Sequence, residues 1–145
     1  RHKEIINILN KLKVKINYIT DGDIAGALSV IGNEPKNDIY LGTGGGPEGV
    51  ITAAALSCYG GQIQSRLVLT NTEIVRARNL GIKDVKKKYN LNDMVKGDII
   101  FCASGVTNGD LVNGILVEKD KFEVNTLALH KSQNIKKKVT NIYKR

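Results

Sequence analysis

The chain has 145 residues, 41% of them hydrophobic and 25% charged, which suits one globular domain with a proper core. Aromatic residues make up 5%, with no Trp, so an aliphatic core is expected; no apolar run approaches the roughly 18 residues of a membrane span, and the charged helix pattern at the opening leads us to expect no secretory leader. The net charge of +8 raises nucleic-acid binding, but no aromatic residues interleave with the lysines and no DNA-reading motif occurs, so Lys86-Lys87-Lys88, Lys136-Lys137-Lys138 and Lys144-Arg145 are read as solvated faces.

Residues 3–13 carry Ile5, Ile6, Ile8, Leu9 and Leu12 at helical spacing. Residues 15–19 alternate and stop at Asp21-Gly22, a short strand. Residues 24–31 read as a tightly packed helix that starts at Asp23, and 38–41 as a second strand. Residues 48–59 form an Ala-rich helix closed by Gly60-Gly61. Residues 62–69 read as a strand, and 71–80 as an amphipathic helix capped by Asn71 or Thr72. The polar stretch 84–96 has room for a short helix at 91–95. Residues 98–106 are a strongly apolar strand, and Asn108-Gly109 signals a tight turn. Residues 111–117, 122–130 and 135–143 then read as antiparallel strands, with Lys119-Asp120-Lys121 as a joint. Helix and strand alternate over the first two-thirds, which predicts an α/β fold: a mostly parallel sheet flanked by helices, followed by an antiparallel, β-rich carboxyl-terminal part.

The stretch with most chemistry in it is Gly42-Thr43-Gly44-Gly45-Gly46-Pro47-Glu48-Gly49. A strand runs into glycines that let backbone approach a ligand, and a helix start offers free N–H groups to an anion. Glu48 conflicts with a bare phosphate at that spot. A hard cation between them resolves the conflict, because such ions take carboxylate and phosphate oxygens together. Gly44, Gly46 and Gly49 also match the dinucleotide pattern G-x-G-x-x-G. Pro47 lacks an N–H, however, and the next strand ends in Val68-Leu69-Thr70 with no acidic residue for a ribose. No Lys-Ser/Thr follows, which excludes a P-loop.

In a parallel sheet the ends of the first two strands share an edge, so Asp21, Asp23 and Glu48 are expected to converge. Taken singly, Asp23 suits a helix cap, Asp21 a turn, and Glu48 a favourable place on a helix dipole. Ser104-Gly105-Val106-Thr107-Asn108-Gly109-Asp110 is a third candidate, which a strand end and hairpin turn explain equally. Ser57, His2 and His130 show no partner pattern, and no Ser-His-Asp nucleophile is expected. Cys58 and Cys102 lie in apolar segments without metal-ligand spacing and are expected to be buried free thiols in a reducing cytoplasm.

The segments Arg1-His2, Asp21-Gly22-Asp23-Ile24-Ala25, 40–50 and 103–111 together resemble class II (GlpX-type) fructose-1,6-bisphosphatase. The resemblance runs over essentially the whole chain but covers only the carboxyl-terminal half of such an enzyme. It implies the layered α/β architecture of the metal-dependent sugar phosphatase superfamily, with residues 1–145 as its carboxyl-terminal domain. It implies a cytoplasmic enzyme of gluconeogenesis that hydrolyses the 1-phosphate of fructose 1,6-bisphosphate with Mg²⁺ or Mn²⁺, with sedoheptulose 1,7-bisphosphate as a further substrate in some members. By position, Glu48 is implied as a metal ligand. Arg1, Asp21, Gly22, Asp23 and Gly45 are implied as substrate-binding residues. The catalytic Thr and remaining metal carboxylates belong to the amino-terminal half, so no catalytic residue is assigned here. Implied partners are the sugar bisphosphate, that amino-terminal half and a second copy in a homodimer, with no nucleic acid or membrane. Gly46 and Asn108 depart from the Ala and Asp common in the family. Two other readings stay open: a nucleotide- or dinucleotide-binding module using the glycine loop, and a non-catalytic basic binding domain.

Overall fold

A computed structural model describes residues 2–19, 22–32 and 34–145. Five helices and six strands follow in order: α1 (Lys3–Lys11), α2 (Asp23–Leu28), α3 (Gly46–Tyr59), β1 (Gln64–Arg66), α4 (Asn71–Asn79), β2 (Lys88–Asn90), α5 (Leu91–Met94), β3 (Ile100–Ser104), β4 (Leu116–Val117), β5 (Lys121–His130) and β6 (Ile135–Lys144). Mixed helix and sheet is present, as an α/β fold requires. The mostly parallel sheet is not. Every pairing among the described residues is antiparallel: β1 with β2, and β5 with β3, β4 and β6.

The expected antiparallel carboxyl-terminal part is present. The turn after His130, with Asn134 at φ 50°, sends β6 straight back along all of β5, from His130↔Ile135 to Lys121↔Lys144. A connection that short permits only antiparallel pairing. The far flank of β5 is taken by β3 and β4, also antiparallel. Residues 15–19 and 38–41, expected as strands, run without joining either sheet. The expected strands at 62–69 and 111–117 shrink to β1 and β4, and β2, which pairs β1, has no counterpart among the expected elements.

Strand alternation places the core. Phe101 of β3 and Leu127 and Leu129 of β5 face inward and meet Ala55, Leu56 and Cys58 of α3 and Leu28 of α2. Small residues bring α3 close to its neighbours: Ala53 and Ala55 are fully buried. Gly60, left-handed at φ 75°, ends the helix, and the N–H groups of Gly60 and Gly61 return to Ser57 and Leu56. The same alternation turns Cys102 outward. Of the two thiols expected to be buried, only Cys58 is; both are free. Burial pushes the Cys58 thiol up from its ordinary pKa.

The cap of α4 differs from expectation as well. Thr70 holds it, accepting from the Glu73 N–H while the Glu73 carboxylate takes the Thr70 N–H, a reciprocal box. The accessible surface is 11160 Å², against about 7300 Å² for a self-contained monomer of this mass. Exposed large apolar side chains occur along the whole chain, among them Ile8, Leu12, Tyr18, Ile39 and Leu41 in its first part. No helix among the described residues is long and apolar enough to cross a membrane.

Candidate functional site

The glycine stretch and the start of α2 do come together. Gly22 takes the left-handed conformation before α2, at φ 87°, ψ 55°. Asp23 is therefore the first helical residue, and its side chain does not cap the helix. Instead its Oδ1 accepts a hydrogen bond from the Tyr40 hydroxyl at 2.8 Å, and its Oδ2 lies where a Cβ on Gly44 would stand. A side chain at position 44 would have to displace that carboxylate.

One residue further on, Gly45 is the N-cap of α3, in extended conformation at φ −71°, ψ 155°. Pro47 occupies the first turn, where a missing N–H costs nothing because that turn has no partners for its donors. Glu48 follows, also in the first turn. Its carboxylate folds back until Oε2 stands where a Cβ on Gly45 would go. Two carboxylates thus bracket two consecutive glycines. On the opposite flank, His2 Nε2 accepts the Thr43 N–H at 2.9 Å, which ties the glycine stretch to the base of α1 and requires a lone pair on Nε2.

Glu48 is exposed and forms no ion pair or hydrogen bond among the described residues. It therefore offers both oxygens to a ligand at the positive end of a 14-residue helix. One carboxylate is a chemically correct donor for a hard cation, but such ions take six or more oxygens. No group of three or more His, Cys, Asp or Glu among the described residues could hold a metal by itself. Glu48 fits the role of a single ligand and not of a complete site. Arg1 and Asp21, the other residues expected here, lie outside the described residues.

The remaining candidates go elsewhere. The Ser104 hydroxyl meets Thr126 Oγ1 across the ladder at 2.7 Å, and Asn108 Oδ1 takes the Gly114 N–H. These bonds are those of a closed turn. A cleft lined by Ser57, Gly60, Gly61, Asn90 and Lys131 lies at the far end of α3, about 20 Å from Glu48 at the helical rise. No carboxylate lines it.

Sequence reasoning missed one polar cluster. Asp98 Oδ2 accepts from Ser132 Oγ and lies against His130 Nε2, each at 2.7 Å, and Asp98 Oδ1 takes the Ser132 N–H. These bonds hold the Asp98 carboxyl well below the ordinary carboxylate range, chiefly through Ser132 and then His130. Ser132 Oγ and Asp98 both meet the same ring nitrogen of His130. A nucleophile relay needs the two on opposite nitrogens, so the cluster is a structural tie between β3 and the β5–β6 turn. No local signal reveals it, since its members lie 32 and 34 residues apart.

Comparison with known proteins gives matches over most of the chain. A sequence profile described as "Bacterial fructose-1,6-bisphosphatase, glpX-encoded" matches residues 1–143. A protein of Haemophilus influenzae named "Fructose-1,6-bisphosphatase class 2" is 35% identical over 153 aligned positions, which cover 94% of this chain and 46% of that protein. One of a Synechococcus species, "D-fructose 1,6-bisphosphatase class 2/sedoheptulose 1,7-bisphosphatase", is 35% identical over 130 positions, covering 79% of this chain and 37% of that protein. The chain spans about half the length of the curated relatives it matches, or less.

Proposed function

Because this chain belongs to the family of glpX-encoded bacterial fructose-1,6-bisphosphatases, we propose that it supplies the sugar-binding residues and one metal ligand for hydrolysis of the 1-phosphate of fructose 1,6-bisphosphate. The observation that carries this reading is the pair of carboxylates set on Gly44 and Gly45 at the head of α3. One of them is held in place by Tyr40 and the other has no partner among the described residues. A carboxylate that is fixed and half-buried suits neutral hydroxyl donors, and an exposed one at a helix start suits a cation.

The roles divide accordingly. Asp23 accepts hydrogen bonds from sugar hydroxyls, and Asp21 and Gly22 share in binding the sugar. The backbone around Gly44–Gly46 and the free N–H groups at the start of α3 face the phosphate oxygens, and Arg1 pairs with a phosphate. Glu48 holds one Mn²⁺ or Mg²⁺, which when bound would supply Lewis-acid activation of water and charge neutralisation. The remaining ligands and the catalytic Thr come from the other half of a family-length protein. That half would also cover the apolar surface of α1 and residues 14–19 and 39–41. In the same reading the chain is the carboxyl-terminal domain of a layered sugar phosphatase. It acts as a homodimer in the cytoplasm, where free thiols such as Cys58 and Cys102 persist.

Two measurements test this. The 145-residue chain alone is expected to release no phosphate from fructose 1,6-bisphosphate with Mn²⁺; turnover at the rate of a complete enzyme would sink the divided site. Mn²⁺ added to the isotopically labelled chain is expected to broaden amide resonances around Glu48 first, an effect lost in Glu48→Gln. Equal broadening in both proteins removes Glu48 as a ligand.

A further inference from the structure

Tyr40 lies at the end of the extended segment before the glycines, half-buried, with its hydroxyl on Asp23 Oδ1 at 2.8 Å. Three glycines are shaped around this pair. A Cβ on Gly26 of α2 would stand 2.7 Å from Tyr40 Cε2 and 2.6 Å from Ile19 Cδ1. A Cβ on Gly42 would stand 2.7 Å from the Tyr40 hydroxyl oxygen. A Cβ on Gly44 would run into Asp23 Oδ2. All of these are closer than real side-chain contacts. The ring therefore lies flush on α2, the hydroxyl passes beside Gly42, and the carboxylate it holds rests on Gly44.

We propose that Tyr40 is the positioning residue of the sugar subsite: its hydroxyl fixes the Asp23 carboxylate on Gly44, so that the site recognises a hydroxylated phosphate ester rather than phosphate alone. The inference rests on the reading of Asp23 as an acceptor for sugar hydroxyls. A carboxylate on a free rotor loses orientation and must be ordered by the ligand. One anchored on a phenol is ordered beforehand, and its remaining lone pairs keep a fixed direction. Phosphate oxygens, held by backbone N–H groups, have no need of it.

The test is a titration of the chain, in the presence of Mn²⁺, with fructose 1,6-bisphosphate and, separately, with inorganic phosphate. Tyr40→Phe keeps the ring over Gly26 and removes only the hydroxyl. It is expected to weaken the sugar bisphosphate roughly tenfold, the affinity equivalent of one hydrogen bond to a charged group, and to leave phosphate affinity unchanged. Asp23→Asn should weaken the sugar bisphosphate similarly, with no further loss on adding Tyr40→Phe. Equal weakening of both ligands by Tyr40→Phe overturns the positioning role, and so does an effect that simply adds to that of Asp23→Asn. If the wild-type chain or Asp23→Asn shows that the sugar does not use Asp23, the functional reading fails. The clamp is then judged on stability alone. Gly44→Ala must destabilise the wild type more than it destabilises Tyr40→Phe, in which Asp23 can swing clear. Identical costs in the two backgrounds refute it.

Discussion

Replacing Gly45 by Ala separates backbone effects from ligand effects at the head of α3. Gly45 has φ −71° and ψ 155°, a conformation open to any residue, so no backbone strain follows. Gly is preferred to Ala at an N-cap, commonly by a few tenths of a kcal/mol up to about 1 kcal/mol. Ala in turn restricts the unfolded chain, which returns about 0.4–1 kcal/mol. The two terms nearly cancel, so the midpoint in urea should stay close to the wild-type value. What does change is local: the new Cβ takes the place of Glu48 Oε2. Glu48 must then leave its position or bind an ion from a strained rotamer, at a cost of roughly 0.5–1.5 kcal/mol. The upper end of that range corresponds to about a tenfold loss of Mn²⁺ affinity. Water-proton relaxation during Mn²⁺ titration measures this directly, with Glu48→Gln as the reference for complete loss. Wild-type Mn²⁺ affinity in a folded Gly45→Ala chain would show that the position of Glu48 against Gly45 has nothing to do with ion binding.

Two further expectations concern the frame that holds the site. Leu129 is 1% exposed, between α3 and the sheet, so Leu129→Ala should destabilise by about 2–5 kcal/mol in urea unfolding; a loss below 1 kcal/mol would mean that this core does not hold the fold. Asp98 has a depressed carboxyl pKa in the fold, so its bonds stabilise above the unfolded value near 3.9, and that contribution fades as pH falls below it towards the folded value. Asp98→Asn should therefore lose stability at pH 7 and flatten the fall between about pH 4 and pH 2; an acid limb as steep as that of the wild type assigns the fall to other groups.

What the sequence disclosed and what it hid follow from the range of the forces involved. α1, α3, α5, β3, β5 and β6 were legible because periodicity, a Gly stop or a strong apolar run marks each within a dozen residues. The meeting of Asp23 with the glycine stretch was legible too, although the reasoning behind it, two parallel strands sharing an edge, does not hold among the described residues. The contact arises instead because α2 packs on α3 and Tyr40 reaches across to Asp23. The parallel sheet was misread because alternation of helix and strand does not show that the strands pair, and residues 15–19 and 38–41 join neither sheet; the antiparallel pairing of β5 with β6 was legible from the short polar joint at 131–134. Thr70 was overlooked in favour of Asn71 and Thr72, though Glu73 three residues later marks Thr70 as the cap. The Asp98–His130–Ser132 tie depends on register across the β3–β5 ladder, which no local pattern encodes.

The dinucleotide alternative meets a geometric obstacle in the same atoms that support the phosphatase reading. In that fold a pyrophosphate packs against the glycine backbone at the helix start. Here Glu48 Oε2 already occupies the space beside Gly45, and Asp23 Oδ2 the space beside Gly44. An anion arriving alone would meet two carboxylates and a helix start that lacks the N–H of Pro47. The preceding segment, 38–41, joins neither sheet, whereas that fold presents its glycines from a central strand. An anion that brings a divalent cation meets the opposite field, because the charge of Glu48 then attracts. On the proposed reading, the carboxylate at the head of α3 would make phosphate binding conditional on a metal, and the position of Glu48, more than the glycines beside it, would set the chemistry of this edge.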